Sequence, residues 1–182
     1  MPSENQKTPV SEVTLPPVAD PHIPAILDWF EAPHVRRWWG DPRVNASELI
    51  WHRKAPPPSG CRTVCLSETP VGYIQWTDFK AYFGTMAYGL PAGTIDIDIL
   101  IGETDLTGKG IGPRAMTQTI NLILSQGAAP LLSVFVSSKN GAAIRAYASI
   151  GFEKKQTIET DAGGVEWLMT LDPSRWSARD GD

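Results

Sequence analysis

The stretch TDLTGKGIGPRAM places three glycines at alternate positions, Gly108, Gly110 and Gly112, with Lys109 between the first two. Glycines at this spacing leave backbone N–H groups exposed, and a helix-like pattern follows at once. The N-terminus of a helix carries partial positive charge and unpaired N–H groups, so a loop of this kind is suited to phosphate or pyrophosphate. The segment therefore predicts an anion-binding turn.

Three other interpretations fit the glycine loop less well. A Walker A loop needs Ser or Thr directly after its Lys, and here Gly110 follows Lys109. A dinucleotide fingerprint would use Gly110, Gly112 and Ala115, but it also needs an acidic residue about 20 positions later, where this chain has none. A plain tight turn remains an alternative, although three glycines cost backbone entropy that such a turn does not require. A pyrophosphate cradle is the interpretation that we favour.

Two aspartates lie on the strand-like segment TIDIDILIG, directly before the loop. The segment alternates, so Ile95, Ile97 and Ile99 point to one face of the strand and Asp96 and Asp98 point to the other. A carboxylate in a partly buried cleft can bind an ammonium group and accept its proton, which is what an amine nucleophile needs. Asp98 is closer to the glycine loop, whereas Asp96 could belong to the solvated side of the strand.

Charge is distributed unevenly along the chain. The net charge is −4, yet the segment from Leu106 to Phe152 contains no Asp or Glu and has four basic residues, Lys109, Arg114, Lys139 and Arg145. The remainder then holds 12 basic and 20 acidic residues, a balance of −8. One segment is thus suited to an anion and the rest of the chain to a cation.

Composition narrows the class of protein. A chain of 182 residues with 42% hydrophobic and 20% charged residues is typical of one globular domain. No apolar run approaches the roughly 18 residues of a membrane span, and the polar start MPSENQKTPVSE lacks the apolar core of a signal peptide. We therefore expect a cytoplasmic protein, monomer or homodimer, without membrane or nucleic-acid partners. Cys61 and Cys65 are expected to be free thiols, and the three scattered histidines show no metal-ligand spacing.

The first half of the chain predicts alternating helices and strands. A short strand and a helix over DPHIPAILDWFEAP precede HVRRWWGDP, which ends in a Gly-Asp-Pro breaker. A helix over NASELIWHRK, capped near Ser47, comes next. It is followed by a hairpin of CRTVCLSE and VGYIQWTDF that turns at Thr69 and Pro70. The segment KAYFGTMAYGLPAG shows no period and is expected to be a loop.

The second half continues the mixed pattern. A helix follows the glycine loop, and the apolar strand LLSVFV leads to a second helix that Asn140 opens and Gly151 closes. The final hairpin consists of FEKKQTIE and VEWLMTL around TDAGG. We expect one domain over residues 13–171, with a flexible lead-in over 1–12 and a tail over 172–182.

Three blocks of this sequence resemble a known family. TGKGIG is similar to the R/Q-x-x-G-x-G/A loop with which the GNAT superfamily of N-acetyltransferases binds acetyl-coenzyme A, with Thr107 in place of Gln or Arg. HVRRWWG, IDILIGETDLTGKGIG and KNGAAIRAYASIGF resemble the matching blocks of aminoglycoside 6'-N-acetyltransferases in order and spacing. The resemblance implies the GNAT fold, a mixed α/β (α+β) domain whose mostly antiparallel sheet splays between strands 4 and 5 and is flanked by helices.

The resemblance also implies an activity, which is direct transfer of an acetyl group from acetyl-CoA to a primary amine. The first candidate acceptor is the 6'-amine of an aminoglycoside, which would make the protein an antibiotic-resistance enzyme. The implied catalytic residues are Asp98, beside the accepting amine, and Tyr147, as general acid for the departing thiolate. Those implied to bind the coenzyme are Ile99, Ile101, Gly108, Lys109, Gly110, Ile111, Gly112, Arg114, Asn140 and Ile144. Those implied to bind the acceptor are Trp38, Trp39, Asp78, Asp96 and Glu103.

Several of these roles have alternatives. Asn140 is equally well explained as a helix cap and Tyr147 as a core aromatic. Trp38 and Trp39 cannot both face one way on a helix, so one is expected in the core. The family's usual aspartate five positions before the capping Asn is here Phe135, and KAYFGTMAYGLPAG has no acidic residue. A less cationic acceptor, such as a siderophore-type lysine derivative, a polyamine or a peptide N-terminus, therefore remains an alternative. So does a coenzyme A-binding module without turnover.

Overall fold

The computed structural model describes residues 12–84, 88–127 and 129–177. Residues 1–11 of the expected lead-in and 178–182 of the expected tail lie outside this part. The strands are β1 (Val13–Thr14), β2 (Gly60–Leu66), β3 (Thr69–Asp78), β4 (Ile95–Ile101), β5 (Leu132–Ser137), β6 (Glu153–Glu159) and β7 (Val165–Leu171). The helices are α1 (Ile23–Glu31), α2 (Pro33–Trp39), α3 (Pro42–His52), α4 (Phe79–Phe83), α5 (Ile111–Gln126) and α6 (Gly141–Ile150).

The strands form a seven-stranded sheet in the order β1-β2-β3-β4-β5-β7-β6. Neighbouring strands are antiparallel except β4 and β5, which run parallel. Helices flank the sheet, so the predicted mixed α/β class with a mostly antiparallel sheet is confirmed. Within the described residues, no helix combines the length and apolarity needed to cross a membrane.

The sheet splays between β4 and β5. These strands pair only at Ile95 with Leu132 and at Asp96 with Ser133. Beyond that point β4 continues beside β3 as far as Ile101, and β5 continues beside β7. The two strands therefore part after Asp96 and leave a gap in the middle of the sheet, as the family resemblance implied.

Alternation along β4 places different side chains on the two faces of the sheet. Ile95 and Ile97 are buried in one cluster with Met116 and Ile120 of α5. Leu100, on the opposite face, packs in a second cluster that α1–α3 cover. Burying an isoleucine side chain contributes roughly 1.5–3 kcal/mol, so the register of β4 is strongly specified. Asp98 shares its face with Leu100 and therefore lies beneath α1–α3.

Helix α3 begins earlier than the sequence predicted. It starts at Pro42, and the Asp41 side chain accepts a hydrogen bond from the backbone N–H of Arg43 at 2.9 Å. The expected cap near Ser47 is wrong, because the Gly-Asp-Pro segment taken as a breaker supplies a cap residue and a proline suited to the first helical position. Consequently Asn45 and Glu48 fall in the first two turns of the helix.

Two shorter segments also differ from the prediction. Because β3 begins at Thr69, its preceding turn consists of Ser67 and Glu68 rather than Thr69 and Pro70, and Ser67 has a φ of 56°. The segment expected to be a loop begins with α4. Asp78 caps this helix by accepting a hydrogen bond of 3.0 Å from a backbone N–H in its first turn.

Candidate active site

A cavity of about 1030 Å³ opens where β4 and β5 part. One wall is the end of β4, residues 98–101, and the opposite wall is the end of β5, residues 135–137. The N-terminal ends of α5 and α6 contribute a third side, and α2 and α3 a fourth. The splay of the sheet thus creates the cavity that the glycine loop and the strand aspartate share.

The glycine loop exposes backbone N–H groups at the start of α5. Gly110 is the cap residue, with a φ of 79°, and no side chain caps the helix there. Gly108, with a φ of 74°, and Gly112 also line the cavity. A Cβ atom added at Gly112 would meet nothing within 4 Å, so the space beside the loop is open. Uncapped N–H groups beside open space fit a pyrophosphate.

Positive charge lines the cavity beside the loop, but it comes from neither Lys109 nor Arg114, the two basic residues that the resemblance implied. Lys139 and Arg145, at the start of α6, line the cavity. Lys109 and Arg114 are not among its lining residues. Their contribution to coenzyme binding stays a prediction.

The free edge of β4 turns two further N–H groups toward the gap. The N–H of Ile95 donates to Leu131 O at 3.1 Å, on the β5 side. Because N–H groups alternate along a strand, those of Ile99 and Ile101 point to the same side, beyond the last pair with β5. His34 lies nearby, with Nε2 at 3.2 Å from Ile101 O. Such N–H groups can hold amide or acyl oxygens.

Asp98 lies half-buried in the cavity wall. Gln75 Nε2 donates to Asp98 Oδ2 at 3.4 Å, and Tyr73 Oη donates to Gln75 Oε1 at 3.0 Å, which orients the amide. Burial, with the nearby charges of Glu48 and Glu166, raises the pKa of Asp98 to about 6. The carboxylate is therefore ionised at neutral pH, with a pKa suited to a general base.

Asp96 lies inside the sheet rather than at the cavity rim. It is 9% exposed and accepts a hydrogen bond from Ser133 Oγ at 2.7 Å. Burial and then the charge of Asp98 raise the pKa of Asp96 well above its usual range. Neither Asp78, which caps α4, nor Glu103, which accepts a 3.0 Å hydrogen bond from Trp29 Nε1, lines the cavity. Of the acidic acceptor-site residues that the sequence indicated, none reaches the cavity.

Tyr147 and Asn140 of the α6 region both reach the cavity and both have structural roles. Tyr147 is 9% exposed, and its ring centroid lies 6.0 Å from that of Phe152. Burial and the charge of Asp98 raise the pKa of Tyr147, which keeps its proton on the hydroxyl. Asn140 caps α6 through a 3.2 Å hydrogen bond from the Ala143 N–H. Ile144 is not a lining residue.

The two tryptophans at the end of α2 line the cavity from different depths. Trp39 packs against Phe30 and Tyr73, with ring centroids 5.7 and 6.2 Å away. Trp38 is 37% exposed, and the Arg37 guanidinium lies 4.6 Å from its ring centroid. Trp39 therefore belongs partly to the core, as expected for one of the pair, and Trp38 forms the rim.

Sequence reasoning missed several polar residues of the cavity, among them Glu48, Gln75 and Glu166. Glu48 Oε1 accepts a hydrogen bond from Tyr82 Oη at 3.0 Å, and Gln75 Nε2 lies 3.5 Å from Glu48 Oε2. If the sequence interpretation had begun α3 at Pro42, it would have placed Glu48 on the face of this helix that looks toward the sheet. Together with Asp98 these residues bring three carboxylates to the cavity, one each from α3, β4 and β7.

Comparison with known proteins identifies the class. Residues 18–160 match the family described as acetyltransferase (GNAT) domain, so the chain belongs to the GNAT acetyltransferases. Enzymes of this family use acetyl-CoA, which confirms the cofactor expected from the sequence. Aminoglycoside N(6')-acetyltransferases type 1 from Klebsiella pneumoniae and Serratia marcescens are each 23% identical over 164 residues, covering 86% of this chain and 82% of the relative.

Solved structures show the same fold. The aminoglycoside acetyltransferase AAC(6')-Ib in complex with coenzyme A superimposes with a TM-score of 0.75 at 22% identity, covering 90% of this chain and 96% of that chain. Its complex with coenzyme A and kanamycin gives a TM-score of 0.74 with the same identity and coverage. An aminoglycoside N(6')-acetyltransferase from Legionella pneumophila gives 0.71 at 19% identity, covering 89% and 92% of the two chains.

Proposed function

We propose that this protein acetylates a primary amine with acetyl-CoA, and that the first candidate acceptor is the 6'-amine of an aminoglycoside. One observation carries the proposal. A single cavity joins the uncapped N-terminus of α5, the free edge of β4 and three carboxylates, Glu48, Asp98 and Glu166. The first feature suits a pyrophosphate and the last suits an ammonium group, so both reactants fit the two parts of one site.

The residues of the cavity supply what acetyl transfer requires. Acetyl-CoA, when bound, supplies an activated acetyl thioester. Asp98 would hold the substrate ammonium and accept its proton, directly or through water, which frees the nitrogen lone pair to form the new C–N bond. The N–H groups of Ile99 and Ile101 would stabilise negative charge that develops on the acyl oxygen. Tyr147 would give its proton to the sulfur as the C–S bond breaks.

The acceptor side of the cavity favours an amine of moderate charge. Trp38, Trp39 and Phe135 provide aromatic surface, and the three carboxylates can pair with two or three ammonium groups. The relatives of this chain are named for aminoglycosides, which supports the 6'-amine as first candidate. The aromatic surface favours a smaller, less cationic amine, such as a lysine derivative, as the second candidate.

A thiol-release assay tests the activity and the acceptor together. The protein is incubated with acetyl-CoA and one amine at a time, from kanamycin, a polyamine, a lysine derivative and a peptide with a free N-terminus. We expect amine-dependent thiol release that is highest with kanamycin, and mass spectrometry should find one acetyl group on the 6'-nitrogen. Coenzyme A binding in calorimetry without thiol release for any amine would instead indicate a binding module.

A further inference from the structure

The glycine loop has little packing of its own. A Cβ atom added at Gly108, Gly110 or Gly112 would meet nothing within 4 Å, and Gly108 and Gly110 are exposed. Glycine in such surroundings samples many backbone conformations, so ordering the loop around a ligand costs binding energy. The geometry of the loop therefore depends on the segment that leads into it, residues 101–107.

The first part of this segment is fixed by α1 and by β3. Trp29 Nε1 donates to Glu103 Oε1 at 3.0 Å. Gly102 lies against the Trp29 indole, where a Cβ atom would clash with the ring. The N–H of Gly102 donates to Val71 O at 2.8 Å, so the backbone is held in place up to this point.

His34 of α2 makes two further contacts to the segment. Its Nε2 lies 3.2 Å from Ile101 O, and because a carbonyl oxygen only accepts, Nε2 donates this hydrogen bond. Its Nδ1 is hydrogen-bonded to Thr104 Oγ1, also at 3.2 Å. One imidazole ring therefore bridges the end of β4 and the start of the turn that precedes the glycine loop.

That turn connects Thr104 to the first glycine. The Thr107 hydroxyl donates to Thr104 O at 2.7 Å, and the Thr107 N–H donates to the same oxygen at 3.3 Å. Thr107 lines the cavity directly before Gly108, whereas Thr104 is exposed and is not a lining residue. His34, Thr104 and Thr107 thus form a continuous chain of contacts from α2 to the loop, which we call the His34 tether.

We propose that His34 is a positioning residue for the coenzyme, because through Thr104 it holds the glycine loop in the conformation that binds the pyrophosphate. This inference rests on the proposed placement of the pyrophosphate at that loop. The affinity of a ligand falls in proportion to the fraction of the protein in the binding-competent conformation. Loss of the tether should therefore weaken coenzyme binding and leave Asp98 and Tyr147, which act on the acetyl group and the amine, in place.

Calorimetry with coenzyme A on paired variants tests the tether. His34→Phe keeps a ring and removes both nitrogens, so we expect its Kd to rise roughly 10- to 30-fold. Thr104→Val removes one contact without changing a cavity-lining residue, so a rise of roughly 3- to 10-fold is expected. Thr104→Ser keeps the hydroxyl and should bind like the wild type. The double variant of His34→Phe and Thr104→Val should bind no more weakly than His34→Phe alone, because both changes break the same chain of contacts.

Hydrogen exchange in the free protein separates a tether from a general structural role. Thr104→Val should raise the amide exchange rate of peptides within residues 101–107 at least about threefold and leave the rates in β6 and β7 unchanged. In the thiol-release assay its KM for acetyl-CoA should rise, with little change in kcat at saturating coenzyme.

Two results would overturn the inference. One is a Thr104→Val variant with wild-type affinity for coenzyme A, since a loss confined to His34→Phe would mean that His34 touches the coenzyme directly. The other is unchanged hydrogen exchange within residues 101–107. The placement of the pyrophosphate is tested separately with Gly112→Asp and Gly112→Asn. If these two bind coenzyme A equally well, the placement and the inference both fail, whereas if they differ and Thr104→Val binds normally, only the tether fails.

Discussion

Replacing Asp98 by asparagine should lower kcat/KM for the best amine by roughly 30- to 1,000-fold. Two opposite unit charges 4 Å apart attract by about 4 kcal/mol at an effective dielectric constant of about 20. Asparagine keeps the shape and the hydrogen bond from Gln75 but loses the charge and the base. Because Glu48 and Glu166 still attract the ammonium, the loss in transition-state binding should be about 2–4 kcal/mol.

Asp96→Asn is the matched control, since it makes the same change two residues away on the same face of β4. Asp96 does not line the cavity, and its oxygen can keep the hydrogen bond from Ser133 after the substitution. We therefore expect a loss of less than about fivefold in kcat/KM, or roughly 1 kcal/mol. Both variants are assayed for thiol release between pH 6 and 9 with the same amine.

Stability measurements show whether the Asp98 variant is folded. Folding raises the pKa of Asp98, so the protonated form is favoured in the folded protein and stability is lost as pH rises through about 6. Asp98→Asn should accordingly melt no lower than the wild type at pH 8. A larger activity loss in Asp96→Asn would place the acceptor amine beside Asp96 and refute the assignment. Small and equal losses would mean that the amine arrives neutral and needs no carboxylate base.

Three further predictions concern the same cavity. Tyr147→Phe should lower kcat by about 100-fold, or less where water replaces the proton donor, with little change in coenzyme affinity; an unchanged kcat at saturation would leave Tyr147 as a core aromatic. Gly112→Asp should bind coenzyme A at least about 30-fold more weakly in calorimetry than Gly112→Asn, because the aspartate repels the pyrophosphate and asparagine has the same size without the charge. Equal affinities of the two variants would contradict an anionic ligand at the loop. Wild-type kcat/KM should fall as pH drops below about 6, where Asp98 becomes protonated. If kcat/KM of Asp98→Asn falls in the same way below about pH 6, the titrating group is a different residue.

Local patterns determined much of the site in advance. The glycine spacing predicted a helix start with exposed backbone N–H groups. Glycine has no Cβ atom, so Gly108 and Gly110 can adopt a positive φ without help from distant parts of the fold. Alternation along β4 predicted that Asp98 and Asp96 share a face, because side chains of any strand alternate. The sequence also predicted that Asn140 caps α6. Each of these features depends on neighbours within a few positions of the chain.

The other polar groups of the cavity were decided by tertiary packing. Glu48, Gln75 and Glu166 come from α3, β3 and β7, and none carries a local signal that distinguishes it from a solvated residue. They meet because α3 covers the face of the sheet on which Gln75 lies and because β7 pairs with β5 beside the gap. The start of α3 was itself missed, since Asp-Pro is a breaker in one context and a helix start in another.

The contrast between Asp96 and Asp98 shows the limit of sequence reasoning most directly. Both lie on the same face of the same strand, and the sequence indicated Asp98 as the residue nearer the glycine loop and Asp96 as a residue of the solvated side. In the folded protein Asp96 is the last residue of β4 that pairs with β5, and Ser133 of that strand binds its carboxylate. Asp98 lies beyond the point where the strands part and so faces the cavity. Periodicity determines the face of a residue, but the path of the neighbouring strand decides whether that residue is enclosed by the sheet or open to a substrate.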